Sequence, residues 1–148
     1  MQLEELKCRK RVLRRLGFID EADAIQLKAR VACEISVGDE LVLSELLFDR
    51  FFNELTPEMC AACLSCFVYE EKAEVQIANE DVKLAFKKIQ SQVKLVAKVS
   101  QESKLAINEA DYLDSFKPQL MEVVLEWANG APFSQIWYVI AEVNGLQC

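Results

Sequence analysis

Histidine is absent from the 148 residues of this sequence, and glycine and proline are scarce, at four and three residues. Without histidine there is no Ser-His or Cys-His pair for nucleophilic catalysis. The segment "SVGDE" has one glycine and lacks the lysine that a Walker-type phosphate loop supplies. The adjacent acids Glu70-Glu71 and Asp39-Glu40 are typical of a solvated surface. These features argue against an autonomous nucleotide hydrolase, and we predict no catalytic residue.

Long apolar runs are also missing. No stretch approaches the roughly 20 apolar residues that span a membrane. The first ten residues, "MQLEELKCRK", carry charges where a signal peptide needs an apolar segment. We therefore expect an intracellular protein without membrane association. In that setting the six cysteines are expected to be reduced thiols rather than disulfides.

The N-terminus is basic, although the net charge of the whole chain is −7. Residues 1–18 hold six basic and two acidic side chains, whereas the remainder holds 11 basic and 22 acidic ones. In "LKCRKRVLRRLGF", a helix would bring Lys7, Arg11, Arg14 and Arg15 roughly together. Either this helix packs on the core and pairs its outer surface with acids elsewhere, or it binds nucleic acid. Composition favours the first interpretation slightly, because no aromatic side chain interleaves to stack on bases.

The helical spacing of apolar residues predicts a mainly α fold. Leu3, Leu6, Val12, Leu13 and Leu16 fall near one face of a first helix that Gly17 ends. The next predicted elements are an ambiguous segment at 24–35, with a candidate strand before a helix, and a helix capped by Asp39 with an apolar face from Leu41 to Leu55. They are followed by a helix started by Thr56-Pro57, a polar loop at 72–80, a helix from Val82 to about Leu105, a turn capped by Asn108, and a helix from Ser115 or Lys117 closed by Asn129-Gly130.

Three cysteines, Cys60, Cys63 and Cys66 in "CAACLSC", form the most suggestive ligand motif. An iron–sulfur cluster or a structural zinc site usually needs four ligands, and here the fourth would have to be another cysteine or a carboxylate. On a predicted helix, a spacing of three residues puts the thiols on one broad side, where they behave as small core hydrophobes. The sequence therefore predicts no metal site.

Several segments taken in order resemble one known family. They are "LKCRKRVLRRLGF", "LKARVACEIS", "DELVLSELLF", "LSCFVYEE", "AKVSQESKL" and "YLDSFKPQLMEVVLEWANGAPFSQI". Together, from about Leu6 to Ile136, they resemble the C-terminal DSHCT domain of exosome-associated DExH-box RNA helicases. "SFKPQLMEVV" and "CRKRVLRRLGF" look more like the nuclear exosome-cofactor branch than like the cytoplasmic Ski branch.

The resemblance implies a helical bundle with the end of a winged-helix module, which packs on two motor domains and forms part of an RNA channel. The whole enzyme would use ATP and Mg to unwind RNA for the exosome and its adaptor proteins in the nucleus, or in the cytoplasm if it is of the Ski type. Docking and packing are then the expected roles of the basic helix. RNA contacts are expected from Glu71, with Glu70 as the alternative in register, and from Arg14 and Arg15.

The departures from the family are equally specific. The motor domains are absent, so no cofactor is expected to bind this chain, and residues 1–136 are predicted to be a truncated domain that lacks its last helices. Residues 137–148, "WYVIAEVNGLQC", are a divergent tail, which we interpret as read-through of an intron, because a split cysteine codon followed by GTATGTA would encode Trp-Tyr-Val. Apolar side chains around Trp127 and Phe133 are expected to be uncovered, which predicts a marginally stable, sticky fragment. The alternative function is a stand-alone helical adaptor that binds a partner protein.

Overall fold

The computed structural model describes residues 2–69 and 77–137, and they are mainly helical, which confirms the predicted fold class. Within these ranges the only β pairing is an isolated antiparallel bridge between Ile19 and Ile25. The helices are α1 (Gln2–Arg15), α2 (Leu27–Cys33), α3 (Glu40–Phe48), α4 (Pro57–Ser65), α5 (Glu80–Glu102), α6 (Glu109–Asp114) and α7 (Met121–Ala128). Short 3-10 turns occupy Phe51–Glu54 and Pro118–Leu120, and residues 133–137 are helical.

Two predicted helix starts, at Asp39 and Thr56, are confirmed by capping hydrogen bonds, whereas the helix predicted from Ser115 or Lys117 begins at Met121 after a 3-10 turn. The Asp39 carboxylate accepts a hydrogen bond from the backbone N–H of Val42 at 2.9 Å, at the start of α3. The Thr56 hydroxyl accepts one from the N–H of Met59 at 3.2 Å, with Pro57 as the first residue of α4. Such caps satisfy N–H groups that have no partner inside the helix. They could be predicted because they depend only on residues three positions apart.

Two predicted apolar faces are wrong in part. The helix that starts after Asp39 ends at Phe48, because Arg50 has a φ of +59° and a 3-10 turn follows. The buried residues of α3 form the continuous run from Val42 to Leu46, while Phe48 is exposed. On α1, Leu3 and Leu6 are also exposed, and the buried side chains are those of Cys8 and Val12, followed by Leu16 directly after the helix. The candidate strand within 24–35 is reduced to the single bridge at Ile25.

The chain divides into two compact units. Unit 1 comprises Met1–Arg50 and Ile89–Asp114, and unit 2 comprises Phe51–Lys88 and Ser115–Cys148. Helix α5 contributes residues to both. In unit 2, α4 packs against α7, and the rings of Phe67 and Phe116 meet edge to face with centroids 5.3 Å apart.

A buried ion pair organises unit 1. Lys28 on α2 donates a hydrogen bond to the Glu45 carboxylate on α3 at 2.5 Å and to the carbonyl of Leu16 at 2.9 Å. Its ammonium group also lies 5.0 Å from the ring centroid of Phe18 and 5.9 Å from that of Phe48. The two charged side chains are only 14% and 8% exposed. This single ammonium group therefore joins the end of α1 to α2 and α3.

A second polar contact places α6 in unit 1. The Tyr112 hydroxyl donates a hydrogen bond to the Asp39 carboxylate at 2.5 Å, on the oxygen that does not cap α3. Burial and the neighbouring Asp39 charge raise the pKa of Tyr112 above its usual range. Asp39 therefore serves both as the N-cap of α3 and as the acceptor that anchors α6.

Candidate nucleic-acid interface

Every basic side chain of α1 has a partner. Lys7 pairs with Glu4 and Arg9 with Glu5, at 2.7 and 2.8 Å, within the helix itself. The remaining four contact other elements of unit 1: Lys10, Arg11, Arg14 and Arg15. Lys10, Arg14 and Arg15 pair with acids elsewhere in unit 1, as the interpretation of α1 as a packing helix predicts.

The turn after α1 supplies the shared acid of Lys10 and Arg14. Asp20 holds this turn closed, since one of its carboxylate oxygens accepts hydrogen bonds from the N–H groups of Ala22 and Ala24, both at 2.9 Å. Asp23 adopts a φ of +64°, a conformation that Asp tolerates better than most residues. Its carboxylate then meets Lys10 at 2.9 Å and Arg14 at 2.5 Å.

This cluster has one positive charge in excess. The hydrogen bonds from Lys10 and then Arg14 lower the pKa of Asp23 below its ordinary value of 3.8, so the carboxylate is ionised at neutral pH. One carboxylate faces two cations, and all three side chains keep between 36% and 44% of their surface in solvent. Arg14 is therefore positioned and partly neutralised, while it remains open to a further anion.

Arg15 and Arg11 reach the C-terminal end of α5 within unit 1. Arg15 pairs with Glu102 at 2.9 Å, and both side chains are about half exposed. Arg11 donates a long hydrogen bond of 3.5 Å to the carbonyl of Ser103. Arg14 and Arg15, both predicted to contact RNA, thus belong to separate ion pairs on one helix, and their contact with RNA stays a prediction.

The third predicted contact, Glu71, lies outside the described residues, as does its alternative Glu70. The predicted loop at 72–80 falls largely in the same range. Residues 77–79 are irregular, as predicted, whereas Glu80 is already the first residue of α5. RNA contact by Glu71 stays a prediction.

The three-cysteine motif lies on α4 and at its C-terminal cap. Cys63 and Cys66 are buried, and Cys60 is half-buried. Burial raises the pKa of Cys63 to about 12 and that of Cys66 further still, so both remain neutral thiols at physiological pH. Metal ions bind the thiolate form. No group of three or more potential metal ligands occurs in residues 2–69 and 77–137.

One charged feature of the chain was not predicted from the sequence. Helix α5 carries lysines at spacings of four, seven and four residues: Lys83, Lys87, Lys94 and Lys98. Between Val82 and Gln101 the chain has five lysines and no acid, although the whole chain has 24 acids. Counting charges along this one helix, instead of comparing the N-terminus with the rest, would have found the lysines.

None of the helices in the described ranges combines the length and apolarity needed to cross a bilayer. Large apolar side chains are nonetheless exposed in unit 2. Trp127 is 68% exposed and Phe133 is 73% exposed, which agrees with the prediction of uncovered apolar groups in this region. The rings of Phe133 and Trp137 lie 6.4 Å apart, so these two aromatic residues form a contiguous surface.

Comparison with known proteins assigns the family. Residues 22–145 match the family model of the DSHCT (NUC185) domain. The ATP-dependent RNA helicase mtr4 of Schizosaccharomyces pombe is 57% identical over 138 residues, which are 92% of this chain and 12% of the relative. The human Exosome RNA helicase MTR4 is 52% identical over 137 residues, again 92% of this chain and 13% of the relative.

The branch within the family follows from the same comparison. The Antiviral helicase SKI2 of Saccharomyces cerevisiae is 37% identical over 148 residues, which are 97% of this chain and 12% of the relative. The predicted resemblance, including its preference for the exosome-cofactor branch over the Ski branch, is therefore confirmed. The chain spans only about an eighth of the length of these relatives. The boundary predicted at Ile136 stays a prediction.

Proposed function

We propose, from the premise that the chain belongs to the DSHCT domain family, that it acts as the helical domain of an ATP-dependent RNA helicase that serves the exosome. The observation that carries this proposal is the identity of more than half, over 92% of the chain, with proteins named as an ATP-dependent RNA helicase and an exosome RNA helicase. The proposed setting is the nucleus, or the cytoplasm for a Ski-type enzyme, and the proposed partners are RNA, the motor domains, the exosome and its adaptor proteins.

ATP and Mg belong to the motor domains in this proposal. The segment "SVGDE" leads into α3, but the carboxylate of Asp39 already occupies the N-terminus of that helix. A helix N-terminus attracts phosphate through its unpaired N–H groups and its dipole, and a carboxylate in that place repels a phosphate. This helix N-terminus therefore does not suit a nucleotide phosphate, and the proposal assigns ATP hydrolysis to the motor domains.

The proposed contribution of the chain is to dock on the motor domains and to form part of the RNA channel. Docking is supported by the exposed side chains of Trp127 and Phe133, since burying one large apolar side chain stabilises a complex by about 1.5–3 kcal/mol. Channel contacts are proposed for Arg14, Arg15 and Glu71. The ion pairs with Asp23 and Glu102 keep the two arginines close to α1 while leaving them accessible to a phosphate.

A complementation experiment tests this function. The fission-yeast relative is prepared without its matching segment of 138 residues, and the present chain is added separately. We expect the two to comigrate in gel filtration and RNA-stimulated ATP hydrolysis to recover, whereas the chain alone turns over no ATP. A matched variant carrying Trp127→Ser and Phe133→Ser should keep its helical circular dichroism and lose the association. A folded chain that neither binds nor restores activity would contradict the proposal.

The second candidate is a stand-alone helical adaptor that binds a protein partner. The observation in its favour is the same exposed aromatic surface of Trp127, Phe133 and Trp137, which suits any apolar partner. The two proposed functions predict different results when the chain is added to the complete helicase. An adaptor that competes with the complete helicase would inhibit the full-length relative when added in excess, whereas the helical-domain function predicts rescue of the truncated form and no inhibition of the complete one.

A further inference from the structure

We propose that the four lysines on α5 bind the phosphate backbone of a single RNA strand. The α5 lysine stripe is defined as Lys83, Lys87, Lys94 and Lys98. The inference rests on the proposed function, because it takes RNA as the ligand, and it adds a binding surface that lies outside the three residues predicted from the sequence. All four lysines belong to one uninterrupted helix, so their spacing follows from that helix alone.

The stripe is narrow and straight. At 3.6 residues per turn, the four lysines fall within an arc of about 60°, and their Cα atoms span about 22 Å along the helix axis. The buried side chains of α5, among them Val82, Ile89, Val93 and Val96, occupy a separate face centred about 130° away. Lys87, Lys94 and Lys98 are exposed and Lys83 is half-buried, so the stripe faces solvent over most of its length.

The charges of the stripe are only partly compensated. Lys83 pairs with Glu80 at 2.7 Å, and this contact lowers the pKa of Glu80. Neither Lys94 nor Lys98 has an ion pair in the part of the chain that the structure describes. These two lysines lie one helical turn apart on the stripe, in a chain whose net charge is −7.

One acidic residue lies at the C-terminal end of the stripe. Glu102 is the next charged residue on α5 after Lys98, one helical turn further on, and it pairs with Arg15 at 2.9 Å. Arg15 is one of the three residues expected from the sequence to contact RNA. A strand that follows Lys94 and Lys98 would therefore meet Arg15 next, with Glu102 as the single opposing charge at that point.

The arrangement favours a nucleic-acid backbone over an acidic protein surface. Lysine is a flexible point charge that suits phosphate without requiring one fixed geometry. A backbone with one charge per nucleotide matches a row of cations that repeats over several turns, whereas acidic groups on a folded protein are interspersed with other side chains. The absence of acids from Val82 to Gln101 also removes the repulsion that such a strand would meet elsewhere on the chain.

Salt-dependent binding of a fluorescently labelled single-stranded RNA to the complete 148-residue chain tests the proposal. Each phosphate contact on a single strand contributes about 0.7 to the slope of log K against log salt. Lys94→Gln with Lys98→Gln should lower that slope by about 1.4 and weaken binding about 25-fold at about 0.1 M salt. The control, Arg30→Gln with Lys88→Gln, makes the same change in net charge. Arg30 is exposed on α2, and Lys88 lies about 110° from the middle of the stripe, so this control variant should leave the slope unchanged.

A variant that is expected to strengthen RNA binding distinguishes the loss of RNA contacts from damage to the fold. Glu102→Gln removes the opposing charge and releases Arg15, so RNA binding should strengthen about fivefold at about 0.1 M salt, with the slope rising by about 0.7. Equal losses in the stripe and control variants would overturn the proposal, as would competition by poly-glutamate as effective as that by RNA, or no binding at low salt. If the complementation assay succeeds in any of these cases, the proposed function stands and only the stripe fails.

Discussion

The ion pair between Lys28 and Glu45 makes a sharp prediction about stability. Replacing Glu45 by Leu leaves the Lys28 ammonium with 14% of its side chain exposed and with no carboxylate. Removing one partner of a fully buried pair costs about 3–5 kcal/mol. Lys28 keeps the carbonyl of Leu16 and the faces of two aromatic rings, so we expect a lower cost of about 2–3 kcal/mol.

Replacing both charges should cost less than replacing one. The double variant with Lys28→Met and Glu45→Leu removes the uncompensated ammonium and keeps apolar volume at both positions, so its free energy of unfolding should lie within about 1 kcal/mol of the unmodified chain. A double-mutant cycle should then give a coupling of at least about 1.5 kcal/mol. This coupling energy separates the contribution of the ion pair from that of the packed apolar parts of the Lys28 and Glu45 side chains.

Urea unfolding followed by far-ultraviolet circular dichroism gives the free energies of unfolding of four proteins. They are the unmodified chain, the single variants Lys28→Met and Glu45→Leu, and the double variant. Glu4→Gln is the control, because its pair with Lys7 is exposed on one helix and should contribute nothing measurable. The account of unit 1 would be refuted if Glu45→Leu unfolded at the same urea concentration as the unmodified chain, or if the two single changes added without coupling.

Three other properties follow from the described residues. Thr56→Ala removes the cap of α4 and should cost about 1 kcal/mol in urea unfolding, whereas Thr56→Ser should cost much less. Burial raises the pKa of Cys63 from 9.0 to about 12, so the folded chain disfavours the thiolate and stability should be intact below about pH 9 and fall as the pH rises toward about 12. Cys63→Ala should flatten that fall in urea midpoints measured at about pH 8 and 10.5; an unchanged pH dependence would contradict this origin. Phe133→Ser should leave the unfolding midpoint unchanged and reduce self-association in light scattering, since the ring is largely in solvent; a large loss of stability would show that it is packed.

Local features of this fold could be predicted from the sequence. The caps at Asp39 and Thr56 and the ends at Gly17 and Gly130 each depend on a few neighbouring residues, and the structure has all of them. The long α5 could be predicted too, since its apolar period extends over more than five turns. In each case the signal and the structure lie within the same short segment.

Features that depend on distant neighbours could not be predicted. Leu3 and Leu6 match the apolar period of α1, but periodicity does not say how far a neighbour extends along a helix, and both are exposed. The break at Arg50 divides an apolar pattern that looks continuous. The pairs of Arg14 with Asp23 and of Arg15 with Glu102 join residues nine and 87 positions apart, and the sequence contains no signal for the second.

We propose that this chain works as the helical domain of an RNA helicase, and RNA unwinding by a chimera is the decisive measurement. In the chimera the present chain replaces the matching 138 residues of the fission-yeast mtr4 relative. The account predicts ATP-dependent unwinding of an RNA duplex with a 3′ overhang, at a rate within about tenfold of the unmodified helicase, a difference of about 1.4 kcal/mol in barrier. A folded chimera that hydrolyses ATP but unwinds no RNA would contradict it.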